Sequence, residues 1–139
     1  MLDTLKLKGA LTVRLNGDVV QEIPNLVVNA GKAFVASRMV GTDDSVMSHM
    51  GIGTGTDGTD GTDTGISQVG RVSCTTARSG AAIVYESTFG PDDGDGVISE
   101  AGVFNDASAG TMLCRTKFTN SVGKTDQDSM TITWTVTVS

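Results

Sequence analysis

The stretch Met130-Thr131-Ile132-Thr133-Trp134-Thr135-Val136-Thr137-Val138 decides the fold class of this chain. Ile132, Trp134, Val136 and Val138 fall on one side, and Thr131, Thr133, Thr135 and Thr137 on the other. Successive side chains of a strand point to opposite faces of a sheet, so this unbroken period of two reads as a half-buried antiparallel strand. The apolar row is expected to face a core. The threonine row is expected to face water or a neighbouring subunit. Two more strand-like segments come before it, Ile98-Ser99-Glu100-Ala101-Gly102-Val103-Phe104-Asn105 and Gly110-Thr111-Met112-Leu113-Cys114-Arg115-Thr116-Lys117-Phe118. No catalytic constellation accompanies the three.

Working back toward the N-terminus, Leu11, Val13 and Leu15 alternate with polar neighbours and run into Asn16-Gly17, the strongest short hairpin signal, with Val19 and Val20 beyond it. Asn25-Leu26-Val27-Val28 reads as extended after Pro24. Asn29 is the best helix N-cap in the sequence, Ala33, Phe34, Ser37 and Arg38 have helical spacing, and Gly41 is placed to end the helix. This predicts one short amphipathic helix near residues 30–40, with Phe34 docked on a sheet. Residues 47–53, 69–76 and 81–89 resume the strand pattern, with Arg78-Ser79-Gly80 as a turn. Three Gly-Thr-Asp triplets between them (residues 55–63) offer no apolar side chain to bury, so residues 53–66 read as a flexible loop. The expected architecture is mostly β: an antiparallel β-sandwich, jelly-roll-like, of about eight to ten strands and one short α-helix. Residues 1–8 form an N-terminal arm or the first strand, and residues 9–139 a single domain.

At 139 residues the chain is long enough to bury a core without metal or disulfide staples, and its 18 glycines and two prolines suit short strands with tight turns. A formal net charge of −6, with no basic stripe interleaved with aromatics, argues against nucleic acid as a partner. Cys74 and Cys114 lie in strand-like segments without a CxxC, and read as two reduced buried thiols, with a bridge between them as the alternative. The first residues lack the basic start and apolar run of a signal peptide, and no apolar stretch is long enough for a membrane helix.

Motifs with chemical meaning fail on inspection. Asp93-Gly94-Asp95-Gly96-Val97-Ile98 imitates the middle of an EF-hand loop, but Pro91 and Gly102 stand where the first ligand and the bidentate Glu belong. It reads as an acidic turn. Asp57, Asp60 and Asp63 lack the apolar partners of a calcium-binding β-roll. Gly123-Lys124-Thr125 lacks the first glycine of a phosphate loop, since position 118 is Phe. His49 is the only imidazole, with no Gly-x-Ser-x-Gly elbow, and nothing in the sequence pairs Glu86 with Glu100. The expectation is a non-enzyme without cofactor or metal.

The phrases Asn25-Leu26-Val27-Val28-Asn29-Ala30-Gly31-Lys32, Met50-Gly51-Ile52-Gly53-Thr54-Gly55-Thr56, Ile98 to Asn105, and Gly110 to Thr116 followed by the Trp134 strand occur in this order. Together they resemble small structural proteins of tailed bacteriophages, of the capsid decoration (cement) type, with tail and fibre components as a related class. The resemblance spans about residues 25–138 and assigns no catalytic residue. It implies a virion protein on the capsid exterior, made in the host cytoplasm, that binds the major capsid protein and stabilises its lattice as a homo-oligomer, a trimer or dimer. It implies neither a nucleic-acid nor a membrane partner. The alternative it allows is a tail, baseplate or fibre component facing a receptor. A calcium-dependent carbohydrate-binding module is a third reading, of a different class. Leu2, Leu5 and Leu7 are candidate partner-binding residues, as apolar anchors on a mobile arm, or Leu5 and Leu7 simply begin the first strand.

Overall fold

The alternating C-terminal segment forms the central strand of one sheet of a β-sandwich. The computed structural model describes residues 5–42 and 45–139. Among them lie ten strands and one helix: β1 (Leu7–Leu15), β2 (Asp18–Pro24), β3 (Leu26–Val27), α1 (Asn29–Met39), β4 (His49–Gly53), β5 (Gln68–Ser73), β6 (Thr75–Ser79), β7 (Ala82–Phe89), β8 (Gly96–Phe104), β9 (Met112–Lys124) and β10 (Met130–Val138). Sheet A has the order β2-β1-β10-β7-β6, and sheet B the order β3-β9-β8-β4-β5; every pairing is antiparallel.

The two apolar rows meet between the sheets. Leu11, Val13, Phe89, Ile132, Trp134 and Val136 of sheet A pack against Met50, Ile52, Ile98, Val103, Cys114 and Phe118 of sheet B. Trp134, Phe89, Ile132, Met50 and Ile52 are fully buried, and each such side chain contributes roughly 1.5–3 kcal/mol of hydrophobic stabilisation. With only 4% aromatic residues, this core is largely aliphatic.

Local signals explain the connections. Asn16 and Gly17 both adopt positive φ (52° and 90°), the backbone a two-residue type I′ hairpin requires. The residues expected to form one strand, 69–76, instead divide at Cys74. There β5 leaves sheet B and β6 joins sheet A, and the Cys74 N–H bonds to the Ser48 carbonyl at the crossing. The turn expected at 78–80 falls one residue later, because Arg78 and Ser79 still pair with β7.

Helix α1 differs from expectation at its start. Val28, in extended conformation, occupies the N-cap without a side-chain cap, and Asn29 is already helical. The Asn29 N–H, the first of the free donors of the helix, bonds to the Gly61 carbonyl across the chain. At the other end Gly41 takes φ 66°, and Gly41 and Thr42 donate to the carbonyls of Arg38 and Ser37, a Schellman stop. The helix is also less amphipathic than expected. It buries only Gly31 and Phe34, while Met39 is 80% exposed.

Gly31 lets the helix approach β9 closely, since a Cβ there would overlap the Leu113 backbone carbonyl. Alanine would gain up to about 1 kcal/mol in helix propensity, but overpacking against rigid backbone costs roughly 1–3 kcal/mol. Gly31→Ala is therefore expected to lower the urea midpoint with an unchanged m value; a higher midpoint would contradict the close contact. Both cysteines are free thiols. Burial raises the thiol pKa of Cys114, which is completely enclosed, and of half-buried Cys74. A thiol reagent should modify Cys74 slowly in the native protein and Cys114 only on unfolding, which mass mapping of the modified sites checks.

Candidate interaction site

The outer faces of the two sheets are opposites. On sheet B, one rung runs Arg71–Gly51–Gly102–Arg115–Leu26 across all five strands. The glycines at its centre leave room for the Phe104 ring, which a Cβ at Gly51 or Gly102 would crowd. Phe104, Met112 and Val28, with Ala30 and Ile66 beside them, form a second small apolar cluster on this outer face. The Arg71 guanidinium lies 3.6 Å from the Phe104 ring centroid, which closes the cluster with a cation–π contact.

Next to it lies a buried ion pair. Glu100 on β8 and Arg115 on β9 have side chains 1% and 4% exposed. Arg115 Nε and Nη2 donate to Glu100 Oε1 at 3.0 and 2.9 Å. Nη2 also donates to the Asp57 carbonyl (2.9 Å), and Nη1 to the Gly58 carbonyl and Asp63 Oδ2 (both 3.2 Å). A guanidinium has five N–H donors, and all are used. Glu100 Oε2 accepts the N–H groups of Gly55 (2.6 Å) and Ser67 (2.8 Å). Ser99 Oγ donates to the Gly55 carbonyl, and Asn29 N–H to the Gly61 carbonyl.

The Gly-Thr-Asp segment, expected to be flexible, is thus stapled across the outer face of sheet B by its own backbone. The anchors are polar and distant in sequence, so a search for apolar side chains missed them. Only part of the repeat has a steric reason: a Cβ at Gly55, as at Gly53 just before the repeat, would collide with Glu100, whereas Gly58 has open space around it. The three aspartates do not converge. Asp60 accepts the Thr62 hydroxyl and N–H, which hold its carboxyl below the usual range, while Asp63 turns to Arg115. A polar depression of about 420 Å³ lies over this clamp, but the guanidinium beneath it has no donor left for a ligand.

The remaining sequence candidates separate in space. Glu86 projects from the outer face of sheet A and Glu100 from that of sheet B, so the two carboxylates do not pair. His49 Nδ1 lies 2.8 Å from Ser48 Oγ of its sequence neighbour, and among the described residues no carboxylate bonds the ring. In the EF-hand-like turn, the buried Lys124 ammonium bonds to the Gly90 carbonyl (2.9 Å) and Asp95 Oδ1 (3.1 Å). A lysine cation thus holds two oxygens of that turn. Among the described residues, no helix is long and apolar enough to cross a membrane.

Sheet A presents the open surface. The threonine row of β10 points outward, flanked by Lys8, Ala10, Thr12 and Arg14 on β1 and by Ala82, Val84, Glu86 and Thr88 on β7. One rung reads Glu22–Thr12–Thr133–Glu86–Thr75, the next Pro24–Ala10–Thr135–Val84–Ala77. Thr133 Oγ donates to Glu86 Oε2 at 2.9 Å, and the Thr88 and Thr131 hydroxyls meet at 3.0 Å. A shallow depression of about 490 Å³ lies over Ala10, Thr12, Thr133 and Thr135, and no other part of the described chain covers this face. Of the candidate anchors, Leu7 opens β1 opposite Val138, and Leu5 precedes it, largely exposed. Leu2 lies outside the described residues.

Removing one partner of a buried ion pair leaves an uncompensated charge, at a cost of about 3–5 kcal/mol. Arg115→Met is expected to lose stability of that order in urea unfolding, and to abolish amide-exchange protection at Gly55 and Ser67. Arg115→Lys should not restore that protection, because a point charge with three donors cannot reproduce the guanidinium fork. Retained protection in either variant would mean that the clamp does not order the loop. Comparison of the chain with protein-family models, curated proteins and solved structures returned no match.

Proposed function

We propose that this protein is a structural component of a tailed-bacteriophage virion, a capsid decoration protein that binds the outer capsid surface as a homo-oligomer and stabilises the major capsid protein lattice. One observation carries the reading. The separate sequence phrases that resemble such proteins come together around a single feature of the fold. Residues 25–32 supply β3 and the start of α1, 50–56 supply β4 and the clamped loop, and 98–105 and 110–116 supply β8 and β9. Most of their glycines and charged residues build the outer layer of sheet B: Gly31 against β9, Gly51 and Gly102 under Phe104, Gly53 and Gly55 around Glu100, and Arg115 on Glu100.

That layer is scaffolding, and it leaves sheet A to meet partners. An uncovered face with threonine, alanine and valine at its middle, and with the free edge strands β2 and β6 beside it, suits lateral or stacked contacts between proteins. The protein acts by binding, and its acidity keeps it on the side of the shell away from the genome. The clamped loop supports the second reading, a receptor-facing tail or baseplate component. A pre-ordered loop displaying Thr59, Asp60 and Thr62 would lose little entropy on contact.

Stoichiometry separates the two. Quantitative protein gels of purified particles should show this chain in numbers comparable with the major capsid protein. A small fraction of that number would move it to the tail, and absence from particles would end both readings.

A further inference from the structure

A groove of about 430 Å³ lies where the start of β1, the end of β10 and one side of α1 meet. Leu7, Val35 and Val138 form its half-buried apolar floor, and Leu5, 74% exposed, stands at its lip. Lys6, Lys8 and Lys32 surround it, and among the described residues no acidic side chain lines it. Among the described residues none of these three ammonium groups has an ion-pair partner.

This arrangement runs against the charge of the whole chain, which is −6. Two other cations, Arg115 and Lys124, are buried and neutralised inside the fold. Most of the described acidic residues lie elsewhere, among them Asp57, Asp60 and Asp63 on the clamped loop, and Asp18, Asp92, Asp93, Asp95, Asp126 and Asp128 on the turns at the far end of sheet A. At about 3.4 Å per residue, the nine-residue β1 separates the two ends by roughly 27 Å.

We infer that this groove is a docking site for an acidic peptide segment that carries apolar anchor side chains and belongs to a partner protein. The apolar floor and Leu5 supply the surface that such anchors bury, and the three lysines meet carboxylates at the rim while their stems extend the floor. A phosphate backbone would satisfy the lysines but leave the apolar floor unmet. The site holds whether the protein sits on a capsid or a tail, so it stands or falls separately from the function proposed above.

The test uses the full-length protein and a short fluorescent peptide of alternating glutamate and leucine, followed by anisotropy. Saturable binding that weakens in high salt is expected. Lys8→Glu with Lys32→Glu should weaken it by about tenfold or more, since charge reversal replaces two attractions with repulsions. Leu5→Asp, at an exposed position that folding does not depend on, should weaken it as well. Lys117→Glu, an exposed lysine on β9, should leave it unchanged. Absence of binding overturns the proposal, as does an equal loss with Lys117→Glu, which would signal unspecific charge attraction. Sedimentation showing that the groove variants dissolve a self-associated form would also overturn it, since the occupant would then be a second copy of the chain.

Discussion

A carboxylate enclosed to 1% exposure on the face of a sheet needs a counter-charge and a full set of donors. The outer layer of sheet B is organised by how Glu100 obtains them. Its counter-charge comes from the neighbouring strand, and its other donors come from the backbone at the two ends of the β4–β5 connection. A connection with almost no apolar side chains therefore lies down on the sheet. The network leaves no guanidinium donor or carboxylate oxygen without a partner, the condition under which a buried polar cluster specifies structure rather than weakening it.

This clamp makes the molecule two-sided. The middle of sheet B, around β8, is buried on both faces: the main core lies on one side, and the Phe104 cluster and the stapled loop lie on the other. Sheet A keeps one face free, its middle made of threonine, alanine and valine and its margins carrying charged side chains such as Lys8 and Glu22. The surface available for recognition is thus that face, its edges, and the lysine-rimmed end where α1 meets β1.

Much of the fold could be read from the sequence, because short-range rules governed those parts. The alternation in residues 130–138, the Asn16-Gly17 turn and the Gly41 stop act over a few residues, and each appears where its pattern lies. The clamp was hidden because its parts lie far apart along the chain, with Gly55 and Glu100 as one example. In isolation each is an ordinary strand or loop residue. A signal did exist: Glu100 and Arg115 are opposite charges next to small or apolar strand residues, Ala101 beside one and Cys114 beside the other. The division at Cys74 was equally invisible, since a strand that changes sheets keeps its extended pattern through the crossing. Asn29 does not take its expected role because the helix begins one residue earlier, with extended Val28 at the N-cap and the Asn29 N–H turned to the Gly61 carbonyl.

The central place of β10 in sheet A bears on how the protein forms. Leu7 pairs with Val138, and β7 reaches β1 only through β10 between them. During synthesis the long strands of sheet B, β4, β5, β8 and β9, can pair with neighbours already made, but sheet A has no middle until its last strand arrives. Such non-local closure is slow. In the interval, β1 and β7 expose unpaired edges and apolar rows that would favour pairing with other chains. The strand that most clearly marks the fold is thus also the one that must close sheet A across nearly the whole length of the chain, from Val138 back to Leu7.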